Sequence, residues 1–212
     1  MCSGRVDLEF ILRSFSNGQD GVFIGGCRLG ECNYVTQGNF DALGNTLLSK
    51  KIMEHIGLNP DRLSIAFMNA SDGILLANSI NAFSKTVREL GPLGEGEGLD
   101  INQLKFKLQA LRKLVPYLRL VERERLRVPV KSENEYRQFY DSGEFNRLFD
   151  ELVADKLALS EITSLLQDKP LSTGEIADNL GLNPSEVARH MNTSSMHGLV
   201  RYDTSQNCFA LA

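Results

Sequence analysis

Apolar residues recur at helical spacing from Asp7 to Asn17, where Leu8, Phe10, Ile11 and Phe15 precede Gly18 and Asp7 can cap the first turn. Asp20-Gly21-Val22-Phe23-Ile24 then reads as a short buried strand bounded by turn residues. From Asn39 to Ile56 the residues Leu43, Leu47, Leu48, Ile52 and Ile56 mark one face of a helix closed by Gly57, and Asn59-Pro60 turns into Leu63 to Met68, which alternates as a strand. Ser71-Asp72-Gly73 opens a helix reaching Leu90, with Leu75, Ile80, Phe83 and Val87 expected inward. This alternation predicts an α/β fold with a small, mostly parallel sheet, helices on both faces, and ligands at the carboxyl ends of the strands.

Gly91 to Gly98 alternates glycine with glutamate and lacks apolar periodicity, which predicts a linker over 93–100 after a first domain at 1–92. Ile101, Leu104, Leu108, Leu111, Val115 and Leu118 then step by three and four residues, a heptad-like stripe that Pro116 is expected to kink or interrupt. Glu133 to Leu152 reads as helical with a break at Asp141-Ser142-Gly143, completing a helical arm over 101–150. Over 151–212 the pattern is a helix at Leu157 to Leu166, a second opened by a Ser172/Glu175 capping box, a third from Asn183-Pro184 to His197, and a hairpin of Leu199 to Tyr202 with Cys208 to Leu211. That order resembles the winged-helix domains of bacterial regulators, most clearly over Leu171 to Val200.

Composition is that of an ordinary globular chain: 212 residues, 42% hydrophobic and 24% charged, with no apolar run long enough to span a membrane. Four cysteines are too few for a disulfide scaffold and fit a reducing cytoplasm, the expected location. The net charge of −4 is unevenly spread: −3 over 1–99, +3 over 100–150 and −4 over 151–212. Nine lysines and arginines fall between Lys105 and Lys131 against Glu122 and Glu124, so the arm is expected to dock an acidic face of a partner subunit. Four basic residues against eight acidic ones over 151–212 argue against nucleic acid as that module's partner, because phosphate neutralisation supplies most DNA affinity.

The chemistry is concentrated in sulfur. Cys27 and Cys32 stand with four residues between them in a glycine-rich loop that follows the first strand, and Cys2 precedes the first helix. Thiols at such junctions can ligate iron or zinc, shuttle between dithiol and disulfide, or simply fill space, and spacing alone leaves all three open. The runs Met1 to Asp7, Asp20 to Cys27, Gly30-Glu31-Cys32-Asn33-Tyr34 and Arg88 to Pro92 resemble the delta subunit of methyl-viologen-reducing hydrogenase. That resemblance implies a 2Fe-2S cluster with Cys2, Cys27 and Cys32 among its ligands. It also implies electron transfer from a hydrogenase or formate dehydrogenase to the flavin subunit of a heterodisulfide-reductase-like complex.

The resemblance brings departures too. Asn33 stands where the family has histidine, and the family carries a further strand and a cysteine-rich segment ahead of the Cys-Ser-Gly-Arg point. A fourth ligand is needed, and Cys208 is too distant in sequence to be assigned that role. One expectation is therefore a reading frame that begins upstream of Met1, past a selenocysteine codon read as a stop. The alternative is a short paralogue without the cluster, and translating the upstream DNA separates the two.

Other sites are weaker. His55 reads as structural, and Cys208 alternates with apolar residues as a packed side chain would. His190 and His197 lie seven apart, not at the spacing of a metal pair, so zinc between them is not expected. Arg5 and Arg28 flank the cysteines and can stabilise thiolates or an anionic cluster, or be ordinary ion-paired arginines. Phosphate-binding loops, nucleophile elbows and dinucleotide fingerprints are lacking, so a catalytic site of its own is not expected. The sequence thus favours a non-catalytic electron-transfer subunit, with a redox-sensing winged-helix transcriptional regulator as the alternative.

Overall fold

The computed structural model describes residues 2–34 and 38–212; Met1, the first residue of the first motif, lies outside them. The chain divides into two compact units, Met1–Ala154 and Asp155–Ala212. Among the described residues, no helix is long and apolar enough to cross a membrane.

In the first unit, Asp7 caps α1 (Leu8–Ser16) by accepting from the Glu9 amide, as its place before the apolar run predicts. Strand β1 (Val22–Gly26) pairs in parallel with β2 (Leu63–Phe67), in the register Val22 opposite Leu63. Helix α2 (Asn39–His55) links the two strands on one face, and α3 (Gly73–Leu90) lies on the other, where Phe83 meets Phe23 with ring centroids 5.7 Å apart. Buried Leu8, Ile11, Leu12, Phe15, Leu43, Leu48 and Ile52 form the core on the α1/α2 side. The expected α/β arrangement is present, but α3 is less covered than its pattern predicts. None of its residues is buried, and Leu75 and Ile80 are 46% and 41% exposed. A two-stranded sheet is too narrow to cover an eighteen-residue helix.

Two expectations need correction. The glycine-glutamate stretch at 93–100 is not an extended linker, because it is folded around Arg62. That side chain is wholly buried, and its Nε and Nη2 donate to the two Glu97 carboxylate oxygens at 2.6 and 3.0 Å. Its remaining N–H groups donate to the carbonyls of Asp20, Leu90, Gly91 and Pro92. Gly94, at φ +84°, supplies a left-handed turn that keeps the loop tight.

The helical stretch 101–150 is likewise no free arm. In α4 (Ile101–Glu124) the stripe Leu104, Leu108, Leu111, Val115 and Leu118 is buried, the helix packs along α1, and Arg112 and Arg119 pair with Glu9 and Asp7. The helix runs through Pro116 without ending. Helices α5 (Glu133–Tyr140) and α6 (Gly143–Phe149) follow, with the break where Asp141-Ser142-Gly143 placed it, and α5 packs on α2.

The second unit comprises α7 (Asp155–Asp168), α8 (Thr173–Leu180), α9 (Pro184–Met196) and the antiparallel pair β3 (Val200–Asp203) and β4 (Cys208–Leu211). The Ser172/Glu175 capping box forms in both directions. Ile162, Leu171, Ile176, Val187, Met191 and Val200 make its core.

Candidate thiolate site

The carboxyl end of β1 delivers Cys27 directly after Gly26, and the loop that follows brings Cys32 back to the start of α2. Cys2 caps the short turn Ser3–Arg5, its sulfur accepting from the Gly4 amide at 3.4 Å. The three predicted cysteines are thus gathered: the sulfurs of Cys2 and Cys32 lie 3.7 Å apart, and Cys27 neighbours Cys32 electrostatically. All are free thiols, and 3.7 Å is far from the roughly 2.05 Å of a disulfide. Cys208 belongs to the other unit, is half-buried, and donates its thiol to the Gln206 carbonyl.

The site favours one thiolate over the other. Backbone N–H groups of Tyr34 and Asn39 are directed at Cys32 and lower its pKa, the Tyr34 amide contributing most. Burial, together with the neighbouring Cys32, pushes Cys27 up. Of Cys27 and Cys32, Cys32 is therefore the one held toward the thiolate.

Asn39, buried at the first position of α2, holds the loop in place. Its side-chain amide donates to the Cys27 and Arg28 carbonyls at 2.9 and 2.6 Å and reaches the Cys27 sulfur at 3.7 Å. Sequence reasoning gave this residue only a helix start. The one available signal was an asparagine beginning a helix just after a cysteine loop. Gly38 carries no such signal in the sequence: a Cβ there would overlap the Tyr34 carbonyl oxygen and lie 2.6 Å from the Cys32 sulfur, so only glycine fits without displacing the loop and the sulfur.

Of the flanking arginines, Arg28 pairs with Asp72 at 2.8 Å, which ties the cysteine loop to the start of α3, whereas Arg5 is exposed. His55 is exposed and meets the Phe149 ring edge-on. The hydroxyl of Ser3 is buried without a partner, and it faces Gly26, the residue before Cys27.

A parallel α/β unit carrying three converging thiols above its strand ends, followed by a winged-helix unit, defines the class of protein. The methyl-viologen-reducing hydrogenase delta subunit model matches residues 1–91, and the bacterial regulatory protein arsR family model matches residues 160–202. An iron-sulfur subunit of the F420-non-reducing hydrogenase of Archaeoglobus profundus is 42% identical over 91 residues, covering 43% of this chain and 66% of that protein. The vhu iron-sulfur subunit of the F420-non-reducing hydrogenase of Methanopyrus kandleri is 34% identical over 92 residues, covering 43% of this chain and 69% of the relative. In Methanosarcina acetivorans, one of the subunits of the ferredoxin/F(420)H(2)-dependent CoB-CoM heterodisulfide reductase is 44% identical over 94 residues, 44% of this chain but only 12% of that protein. The chain belongs to the methyl-viologen-reducing hydrogenase delta subunit family through its first unit.

Proposed function

We propose that the chain is an iron-sulfur electron-transfer subunit in which Cys2, Cys27 and Cys32 hold a 2Fe-2S cluster. The observation that carries this reading is the 3.7 Å separation of the Cys2 and Cys32 sulfurs. Two thiolates on one tetrahedral metal, with metal–sulfur bonds of about 2.3 Å, stand about 3.8 Å apart. The rest of the site fits the group. Amides of Tyr34 and Asn39 stabilise a thiolate, Asn39 fixes Cys27, and the orphaned Ser3 hydroxyl is a donor in search of an acceptor. Such a cluster supplies one-electron chemistry, with a potential set by hydrogen bonds to its sulfurs and by exposure. A fourth ligand comes from outside these three cysteines.

The donor is a hydrogenase or formate dehydrogenase, and the acceptor is a heterodisulfide-reductase-like flavin subunit. The support is that relatives of the first unit are named as subunits of F420-non-reducing hydrogenase and of CoB-CoM heterodisulfide reductase. Contact with such partners falls to surfaces other than the apolar stripe of α4, which the fold itself consumes. A cytoplasmic location fits cysteines that all stand as free thiols.

Iron and acid-labile sulfide per chain, with paramagnetic resonance spectra on protein purified without oxygen, test the proposal. Two irons per chain that are lost in Cys27→Ser are expected; iron-free protein reconstituted with iron and sulfide that still takes up none overturns it.

The arsR-family match favours a second reading, a redox-sensing regulator whose winged helix binds DNA. Against it, the one arginine of α9 is tied to Asp155 at 2.7 Å, and acidic residues outnumber basic ones over 151–212. DNA retention that weakens steeply with salt would favour the regulator.

A further inference from the structure

Helix α9 carries Glu186 and His190 one turn apart on the same face, and Asp155 at the start of α7 stands opposite them. Asp155 Oδ1 lies 3.7 Å and Glu186 Oε1 4.0 Å from His190 Nε2, and one donor atom from each of the three lies within 4.8 Å of the others. The His190 side chain is 8% exposed, and at those distances its Nε2 falls short of a hydrogen bond to either carboxylate.

A cation already stands between them. Arg189 Nη2 donates to Asp155 Oδ1 at 2.7 Å and lies 3.5 Å from His190 Nε2, while Nη1 reaches Asp155 Oδ2 at 3.2 Å. A guanidinium can approach an imidazole nitrogen at that distance only as a donor, so the Nε2 lone pair accepts from Arg189 and is released to another cation only when the guanidinium moves away. Burial and the Arg189 charge keep His190 neutral, outweighing the two acids.

We propose that Asp155, Glu186 and His190 form a binding site for a divalent transition-metal cation of the zinc class, with Arg189 as the internal cation that the ion displaces. Imidazole nitrogen and carboxylate oxygen are both zinc ligands, and three protein ligands leave one tetrahedral position open. Bonds of 2.0–2.1 Å place tetrahedral donors about 3.3 Å apart. The Asp155 and Glu186 side chains, 36% and 39% exposed, have the freedom to close that difference while buried His190 stays fixed. The spacing that failed for His190 and His197 is satisfied by Glu186 and His190. This site lies in the winged-helix unit and is independent of the cluster reading.

The chain has three histidines, so its imidazole nitrogens can be resolved one by one. The full chain, labelled with 15N-histidine, is titrated with zinc while the ring-nitrogen signals are followed, a readout that cysteine ligation cannot imitate. The expected result is a saturable shift of His190 Nε2 to a metal-bound position. Binding at His190 should weaken more than about tenfold in Glu186→Gln, the loss even an outer-shell partner causes. It should tighten in Arg189→Gln, where the internal competitor is gone. Glu186 is a surface side chain whose replacement leaves the core intact, so the test does not depend on a His190 variant folding. A His190 signal that stays in place with zinc in excess, or a shift of equal affinity in Glu186→Gln, overturns the proposal.

Discussion

Arg62→Ala should be among the most damaging single changes in the first unit. The side chain is wholly buried, and it is the partner of a Glu97 carboxylate that is itself only 10% exposed. Truncation leaves that carboxylate buried and unpaired, opens a cavity, and strips a donor from the carbonyls of Asp20, Leu90, Gly91 and Pro92. Removing one member of a buried pair typically costs about 3–5 kcal/mol, against total domain stabilities of roughly 5–15 kcal/mol. Arg62→Lys should lose nearly as much, since an ammonium lacks the planar fork that serves Glu97 and four carbonyls together. Urea unfolding read by amide hydrogen exchange can assign the loss to residues of the first unit while the second stays unchanged.

The acid side follows from the same pair. Burial alone would raise Glu97, but hydrogen bonds and charge from Arg62 hold it below the usual carboxylate range. A carboxylate with a depressed native pKa contributes its stability above the unfolded value of about 4.3 and loses it as pH falls through the native value. Wild type should therefore lose stability on acidification below about pH 4.3 more steeply than Glu97→Gln. An Arg62→Ala chain within about 0.5 kcal/mol of wild type, the usual scatter of a surface change, would refute this account of the 90–98 loop.

Three further outcomes are expected. In the iron-free chain, iodoacetamide should label Cys32 ahead of Cys27 at neutral pH, because amides stabilise the Cys32 thiolate while burial holds Cys27 protonated; mass spectrometry of peptides against pH checks the order. Gly38→Ala should cut the iron held per chain without a matching loss of helix content, because the added methyl meets the Tyr34 carbonyl and the Cys32 sulfur and shifts the cysteine loop; metal analysis beside circular dichroism separates the two. Ser172→Ala removes the hydroxyl that accepts from the Glu175 amide, while the backbone N–H of residue 172 keeps its bond to the Glu175 carboxylate, and it should cost the second unit about 1 kcal/mol in urea, leaving the first unit unaffected.

What could be read from the sequence was local. Asp7, Ser172 and Asn183 cap the helices their positions promised, and the strands fall where β-branched and aromatic residues are bounded by turns. The cysteines were legible because two of them share one loop, and resemblance added the third. What failed needed a partner distant in the chain. Glu97 looks like solvated linker charge until Arg62, thirty-five residues earlier, is seen to hold it. The α4 stripe gave a face without saying what covers it, and α1 takes it up. Asp155 and His190 likewise belong to different helices, and histidine spacing alone passes over a glutamate four residues before one of the pair.

Arg62 and the cysteines act at opposite ends of the same pair of strands, and this division bears on function. Arg62 immediately precedes β2, and Asp20, whose carbonyl it engages and whose carboxylate accepts from the Leu93 amide at 2.7 Å, precedes β1 by two residues. Cys27 immediately follows β1, at the carboxyl end where ligands gather in parallel sheets. The buried charge therefore fixes the entry of both strands, while at the exit of β1 Asn39 and the Arg28–Asp72 pair hold the described part of the cysteine loop. On the proposed reading the cluster sits at the strands' exit, so the residues that hold the strands' entry and those that hold the cluster are different ones. Stability and electron-transfer chemistry should then be separable by mutation, with Arg62 variants changing unfolding more than thiol reactivity and Asn39 variants doing the reverse.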